Sequence, residues 1–381
     1  MIRTTLSLAL ALGLTGCVLD DSGDDGNAAA TGQLTLGGIA GLNYDTQSQT
    51  GTTNDRGTFR YFEGENVTFR VGDLVVGESV PTDPIITPLE FLPETRQQLQ
   101  QPLTNELGLL SHRPVEEQVV SNTTLLNITR FLMVMDEDQS TSEGSDLQIT
   151  DRTLDQFRDL RQQLEEPIDF TVSASDFNQG GKQPDTNEEP DPGAERSPVN
   201  WVLERICFEP ADSELCDDPP TPTEISNAPV APEDDTERDP DVEYQDDLQQ
   251  KRDRILGAQR SIGDVSESDA EDYLLRELDE ITVDIANRYY LDTVTQTVSE
   301  GDESVREVTV LKVGGGIEID RIEAISTNPS ALTIHSTHAE SGTVEYFVSG
   351  DAGTEVELII NFRPVGDYRW VQKPLRVVIE E

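Results

Sequence analysis

The 381-residue chain is poor in the side chains from which catalytic and metal-binding sites are usually built. It contains three cysteines and three histidines, and no histidine lies near a cysteine in the sequence. The chain also lacks the short signatures of serine hydrolases, zinc proteases, phosphate-binding loops and dinucleotide-binding folds. Its carboxylates are so numerous that no catalytic pair can be distinguished among them. The sequence therefore gives no positive indication of an enzyme or of a zinc site.

Positive charge is scarce as well. Lysine and arginine together number 27 against 75 aspartates and glutamates, which gives a formal net charge of −48. Only four of the basic residues are lysines: Lys182, Lys251, Lys312 and Lys373. Such a charge opposes binding to nucleic acid and to anionic lipid headgroups. A carboxylate-rich surface fits a salt-loving (halophilic) bacterium, because the Debye length at 1 M salt is about 3 Å and the repulsion is screened.

Long apolar runs are absent after the first 16 residues. This absence excludes a permease, because a membrane-spanning helix needs about 20 consecutive apolar residues. The first residues are different. Arg3 precedes an apolar stretch over residues 6–14, which has the length of the hydrophobic region of a secretory signal. The small residues in Leu14-Thr15-Gly16-Cys17 then allow a peptidase to cut before the cysteine.

This leader resembles a bacterial lipobox. The resemblance implies that residues 1–16 are a lipoprotein signal peptide and that Cys17 carries a thioether-linked lipid as the first residue of the mature chain. Val18 stands where an aspartate would signal retention in the inner membrane, so we expect a lipid anchor in the outer membrane. The alternative is a plain signal peptide with an incidental cysteine.

The other two cysteines, Cys207 and Cys216, are separated by eight residues. Exported proteins fold in an oxidising compartment, so we expect these two thiols to form a disulfide. Closing so small a loop stabilises a fold by roughly 2–3 kcal/mol in the chain-entropy model. The bond would hold a short apolar island around Trp201 in place within a polar segment.

Composition divides the chain into regions and predicts a multidomain, mainly β protein with helical segments. Residues 17–32 are polar and read as a flexible tether. Residues 33–177 combine short alternating runs with two amphipathic helical patterns, which predicts a small β-sandwich with a helical subdomain. Residues 178–242 are rich in proline and carboxylates, which predicts an acidic disordered linker with a pinned segment at 199–216.

The last two regions differ in the period of their apolar residues. Residues 243–280 have helical spacing, and residues 281–381 alternate with period two in runs of strand length. Strands of this length and spacing predict an immunoglobulin-like β-sandwich. The prediction rests on the pattern, since no signature motif of that class is present.

Two segments of the first region resemble a known module. They are GLNYDTQSQTGTTNDRGTFRYFEGENVTFRVGDLVVGES, residues 41–79, and NITRFLMVMDED, residues 127–138. Together they resemble the β module at the front of many bacterial surface lipoproteins and adhesin-like proteins, which is similar to carboxypeptidase-regulatory, transthyretin-like sandwiches. The resemblance covers about residues 33–150. It implies a small β-sandwich and points to no catalytic residue.

One acidic segment has the spacing of a cation site. Asp136, Asp138 and Ser140 follow a predicted helix at alternate positions, so their oxygens could wrap a calcium ion. The segment is not an EF-hand, because Thr141 stands at the sixth loop position and Leu147 at the twelfth. A solvated acidic turn after a helix is the alternative.

Two of the histidines lie close together in sequence. His335 and His338 are three residues apart in a predicted strand. Successive side chains of a strand point to opposite faces, so we expect these two rings on opposite sides of the sheet. This placement argues against a metal shared between them.

Two classes of function follow from these observations. The first is a non-enzymatic, surface-anchored lipoprotein that serves as a binding, adhesion or structural module of the cell envelope, with a protein or carbohydrate as its ligand. The second is an accessory lipoprotein of an envelope transport system, or a secreted enzyme. A deep pocket lined by converging polar groups would favour the second class.

Overall fold

The structure, a computed structural model, describes residues 29–138, 146–183, 194–233 and 237–381. The predicted signal peptide, Cys17, most of the tether and Ser140 lie outside these ranges. Within them, several β-sheets combine with helices along a multidomain chain, which agrees with the predicted class at that level. No helix in the described ranges is both long and apolar enough to cross a membrane.

The N-terminal region is built from short strands. They are β1 (Ala30–Leu34), β2 (Ile39–Ala40), β3 (Asn43–Asp45), β4 (Thr50–Thr52), β5 (Thr58–Tyr61), β6 (Asn66–Val71), β7 (Leu74–Val75), β8 (Val80–Pro81) and β9 (Ile85–Ile86). One sheet has the order β5–β1–β9, and the other has the order β4–β3–β6–β7 with β8 also paired to β6. Val67, Phe69 and Val71 of β6 are buried while the residues between them are not, as period-two alternation predicts.

A glycine fixes the turn before β5. Gly57 has a φ of +66°, and a Cβ at this position would lie 2.7 Å from the carbonyl oxygen of Leu34. Any side chain would therefore meet both the strained backbone conformation and the first strand. This turn brings Phe59 into the core, where its ring packs edge-on against that of Phe69 at 5.3 Å.

Helices and short strand pairs follow this β region. They are α1 (Pro93–Leu99), β10 (Leu103–Thr104), β11 (Leu110–Ser111), α2 (Arg113–Val119), α3 (Thr123–Met135), β12 (Leu147–Gln148), α4 (Asp151–Arg161), α5 (Ala174–Phe177), α6 (Pro198–Leu203) and α7 (Pro222–Asn227). Asn122 caps α3 by accepting a hydrogen bond from the Leu125 N–H, and every residue of α3 from Leu125 onward is buried. The helical spacing predicted for this segment is confirmed.

The first hydrophobic core reaches well beyond the β region. It includes Val199, Val202 and Leu203 of α6, in the segment predicted as a linker. Their spacing buries one side of α6, which explains why this acidic, proline-rich stretch contributes to a folded core. These three residues belong to the segment 199–216 that was expected to be pinned within the linker, and α7 adds a helix outside that segment. Residues 184–193 and 234–236 lie outside the described ranges.

Two longer helices lead to the C-terminal region: α8 (Gln245–Ala258) and α9 (Glu267–Asn287). Helix α9 continues past residue 280, where the helical region was expected to end. Ile281 and Ile285 extend its apolar stripe by one turn and are buried in a second core. The helix thus has its first half in one core and its last turns in the other.

The second core lies between two four-stranded sheets. Their strands are β13 (Tyr289–Leu291), β14 (Thr295–Ser299), β15 (Arg306–Lys312), β16 (Ile319–Ser326), β17 (Leu332–His338), β18 (Thr343–Val348), β19 (Glu355–Pro364) and β20 (Val371–Glu380). The orders are β13–β15–β18–β17 and β14–β20–β19–β16. The β14–β20 pair is parallel, and the other neighbours are antiparallel. Alternate residues of both sheets fill one core, so residues 281–381 contain a β-sandwich.

Candidate functional site

A cleft of about 550 Å³ opens beside Cys207 and Cys216, in the region that was predicted to be a linker. One part of its wall is apolar and consists of Leu160, Ile206, Phe208, Leu215, Ile255 and Leu256. Five basic side chains also line it: Lys182, Arg196, Arg205, Arg252 and Arg260. Four carboxylates complete the charged part: Glu204, Glu209, Asp217 and Asp218. In a chain with a net charge of −48, this balance of charges is locally unusual.

Cys207 and Cys216 form a disulfide on the wall of the cleft, with their Cα atoms 5.3 Å apart. Helix α4 holds the start of the loop independently of this bond. The Cys207 N–H donates to Gln156 Oε1 at 2.9 Å, and the Arg152 guanidinium donates to the carbonyl oxygens of Cys207 and Glu209. The loop is thus fixed to the first core at one end and closed covalently at the other.

Helix α8 forms the opposite wall. Lys251 Nζ lies 3.2 Å from Asp217 Oδ2, and Arg254 Nη2 lies 2.9 Å from Glu214 Oε1. Between these two ion pairs, Arg252 Nη1 donates to the carbonyl oxygen of Pro220 at 2.7 Å. These contacts dock α8 on the disulfide loop and leave the cleft between them.

Arg260 lies where the cleft meets the acidic turn that follows α3. Its guanidinium stacks on the ring of Phe208, 3.8 Å from the ring centre, and donates to the carbonyl oxygens of Val134, Asp136 and Glu137. The C-terminus of a helix carries partial negative charge, so this contact is favourable. Burial nevertheless lowers the pKa of Arg260 to about 10, against the opposing charges of Asp136 and other carboxylates.

The residues proposed for calcium lie next to this arginine. The Gln148 N–H donates to Asp136 Oδ1 at 2.7 Å, and Asp136 is 2% exposed. Burial, together with the neighbouring carboxyl of Asp138, raises the pKa of Asp136 to about 6. Ser140 lies outside the described residues, within which no group of three or more metal-ligating side chains is arranged to hold an ion.

A second polar cluster joins the first region to the β-sandwich. His112 and Glu116 of α2 meet Tyr368 and Arg369, which follow β19. The Tyr368 hydroxyl donates to Glu116 Oε1 at 2.9 Å, and Arg369 Nε lies 3.7 Å from the same oxygen. Arg369 Nη1 is 3.4 Å from Asp367 Oδ1. The side chains of His112, Glu116, Tyr368 and Arg369 are at least 94% buried. We call these four residues the junction cluster.

The hydrogen bonds of His112 define its protonation. The Trp370 N–H donates to His112 Nδ1 at 2.9 Å, so the ring proton lies on Nε2, which is 3.1 Å from Thr282 Oγ1 on α9. Burial, together with the charges of Arg369 and Arg113, lowers the pKa of His112 to about 3. The ring is therefore neutral near pH 7 and bridges three elements.

The remaining histidines, His335 and His338, both lie on β17. The pairing of β17 with β18 shifts between Ile334 and Ser336, so a bulge occurs at His335. The Ser336 hydroxyl bonds to Glu345, and this bond together with the nearby charges of His338 and His335 lowers the pKa of Glu345. His338 Nε2 lies 3.8 Å from Glu345 Oε2. The expected placement of His335 and His338 on opposite faces of the strand stays a prediction.

The junction cluster is the part of the site that sequence reasoning missed. Its bonded partners are separated by 252 and 258 positions. In sequence, a buried Glu116 or Arg369 cannot be told from the many exposed charges around it. The one available signal was His112, because a histidine next to an apolar helical pattern is a candidate for burial.

Comparisons with known proteins do not place the chain in a family. No family model matches it, and no curated protein matches it. Matching solved structures include domains 4 and 5 of the S-layer protein SbsC, domains 1–6 of the same surface layer protein, and rSbsC(31-844). Each has 17% sequence identity and a TM-score of 0.18 over 24% of this chain. The matches cover 50%, 13% and 12% of those chains, so this chain spans half of their length or less.

Proposed function

We propose that this protein is a non-enzymatic lipoprotein of the cell envelope, anchored in the outer membrane by a lipid on Cys17, that binds a ligand in the cleft beside the disulfide. The observation that carries the proposal is the make-up of this cleft. Its described lining offers guanidinium groups and apolar carbons, and it contains no histidine and no free thiol. Guanidinium groups and apolar carbons bind and orient a molecule, and a guanidinium stays protonated and cannot serve as a general base. The carboxylates of Glu204 and Asp217 in the same lining are held in ion pairs with Arg196 and Lys251.

The junction cluster supports a binding role over a catalytic one. Its titratable groups are engaged with one another across the two regions, and His112 and Glu116 are at most 2% exposed. A second cleft of about 420 Å³ lies beside the cluster. Glu90 in its wall accepts the N–H and the hydroxyl of Thr87, at 2.5 and 2.6 Å, and so acts as a cap of the turn at Pro88–Phe91. This use of polar groups for structure argues against the alternative of a secreted enzyme.

The finer fold assignments belong to the same proposal. We infer that residues 33–150 form the lipoprotein module that their sequence resembles and that residues 281–381 form an immunoglobulin-like sandwich. Two small sheets around a common core support the first inference. Two four-stranded sheets with inward-facing alternate residues support the second.

Calcium remains a proposed ligand of Asp136, Asp138 and Ser140. Burial raises the pKa of Asp136, and the nearby carboxyl of Asp138 adds to the rise because two negative charges held close together repel. A divalent cation would relieve this repulsion. Arg260 already supplies one positive charge on the other side of the turn, so the ion would add to an existing contact.

Fractionation of the envelope tests the anchor. The wild-type chain is expected in the outer-membrane fraction, and Cys17→Ser is expected in the soluble fraction because it cannot take the thioether lipid. The double variant Cys207→Ser/Cys216→Ser is the matched control, since it removes two sulfurs and keeps Cys17. If Cys17→Ser remains with the outer membrane as fully as the control, the proposed anchor is wrong.

A further inference from the structure

Two arginines of the disulfide cleft lack an acidic partner. Among the described residues, no carboxylate oxygen lies within 4.0 Å of the Arg252 or Arg260 guanidinium. Arg252 donates to the carbonyl oxygen of Pro220, and Arg260 donates to the carbonyl oxygens at the end of α3.

The neighbouring charges on the same wall are already compensated. Arg196 and Arg205 share the carboxylate of Glu204, and Lys182 Nζ lies 3.0 Å from Asp264 Oδ1. Arg252 and Arg260 are therefore the basic side chains of the described cleft lining with no carboxylate oxygen within 4.0 Å, although the more distant charges of Asp136, Asp264 and Glu209 act on Arg260. Both side chains are partly buried, so a charge-assisted hydrogen bond formed there is stronger than one at an open surface.

An apolar wall lies beside these guanidiniums. Leu256 follows Arg252 by one helical turn on α8, and Leu215 and Phe208 come from the disulfide loop. The loop is closed by the disulfide and tied to α4, so the wall is already formed before any molecule enters. A cleft of about 550 Å³ has the size of a site for a small organic molecule.

We propose that this cleft binds an amphiphilic carboxylate, with an alkyl or aryl body against the apolar wall and the carboxylate at Arg252 and Arg260. The inference rests on the proposed function, because it names the ligand class of the binding cleft. The planar guanidinium matches the two oxygens of a carboxylate, which favours this head group over an alcohol. An inorganic anion would leave Leu256 and Phe208 without an apolar partner, which favours a ligand with an apolar body.

The negative charges of the protein oppose the binding of an anion, so the salt concentration of the test matters. Glu209, Asp217 and Asp218 also line the cleft, and the whole chain carries a formal charge of −48. This long-range repulsion is screened at about 1 M NaCl, whereas contacts inside a partly buried cleft are screened much less. Binding is therefore measured at that salt concentration.

The test is isothermal titration of the full chain carrying Cys17→Ser with octanoate and, separately, with octan-1-ol. Octanoate is expected to bind saturably and about tenfold more tightly than the alcohol, which corresponds to about 1.4 kcal/mol. Arg252→Gln is expected to remove this preference, and Arg252→Lys is expected to keep part of it. Arg376→Gln is the matched control, because Arg376 forms an exposed ion pair with Glu355 on the β-sandwich and does not line the cleft.

Three results would overturn the inference: no saturable binding of octanoate at millimolar concentration, equal binding of octanoate and octan-1-ol, or an equal effect of Arg252→Gln and Arg376→Gln. A circular dichroism spectrum that matches wild type shows that each variant is folded. If octanoate does not bind but the wild-type chain still fractionates with the outer membrane, the ligand class is wrong and the proposed anchor is unaffected. If octanoate binds but the chain does not fractionate with the outer membrane, the proposed location is wrong and the ligand class is unaffected.

Discussion

Replacing Glu116 by glutamine changes how the stability of this protein depends on pH. Glu116 is 1% exposed and sits between the Tyr368 hydroxyl and the Arg369 guanidinium. The other charged groups around it are His112 and Arg113 on the same helix, and Glu90 from the turn before α1. Glutamine keeps the acceptor for Tyr368 and cannot ionise.

The sign follows from the two pKa values of the carboxyl. Burial raises the pKa of Glu116 from 4.5 to about 7 in the folded chain. Between these values the folded chain holds a proton that the unfolded chain has released. The stabilisation is therefore complete below pH 4.5 and is lost as the pH rises through about 7. At about 1.4 kcal/mol per pH unit, the loss amounts to about 3 kcal/mol.

The variant isolates this change from the other titrating groups. His112, whose pKa falls to about 3, acts in the opposite direction, because stability is lost as the pH drops below 6.5. Subtracting the unfolding free energy of wild type from that of Glu116→Gln cancels the His112 contribution as long as its pKa is unchanged.

Urea unfolding followed by circular dichroism measures this difference from about pH 4 to about pH 8 at constant NaCl. We expect the difference in unfolding free energy, Glu116→Gln minus wild type, to increase by about 3 kcal/mol from about pH 4 to about pH 8. Glu117→Gln is the control, since Glu117 is the exposed neighbour on α2. A difference that stays within about 0.5 kcal/mol at every pH would refute the assignment of the raised pKa to Glu116.

Three further predictions concern the disulfide, the charge and the calcium ligands. Replacing Cys207 and Cys216 by serine should lower the free energy of unfolding by roughly 2–3 kcal/mol, and thermal melts equal to wild type would contradict this. The melting temperature of the chain without its lipid should rise as NaCl increases to about 1 M, since screening relieves the carboxylate repulsion, and a flat or falling series would contradict it. Millimolar calcium should raise the melting temperature further. That increment should vanish in Asp136→Ala/Asp138→Ala and should not be reproduced by magnesium.

Local sequence patterns predicted the helices and strands whose apolar side chains all pack into one core. The helical face of α3 and the alternation of β6 were readable because their apolar residues recur at fixed spacing. Two cysteines eight residues apart were expected to pair, and the structure joins them. Each of these inferences needs only a short stretch of chain and the ordinary behaviour of one residue type.

Features that depend on distant parts of the chain could not be predicted in this way. Helix α9 runs from one core into the other, so its end at Asn287 depends on a sandwich that forms later in the sequence. The unpaired state of Arg252 is visible only when its surroundings are known, because nearly every charged residue of this chain looks alike in sequence. The bulge at His335 likewise follows from the register of β17 against β18.

The most direct test of the central claim is the mass of the N-terminal peptide of protein extracted from the envelope. Arg56 is the first basic residue after Cys17, so trypsin releases residues 17–56 as one peptide. The account predicts that this peptide begins at Cys17 and carries the mass of a diacylglyceryl group and an amide-linked acyl chain. A peptide that begins elsewhere, or that begins at an unmodified Cys17, would contradict it.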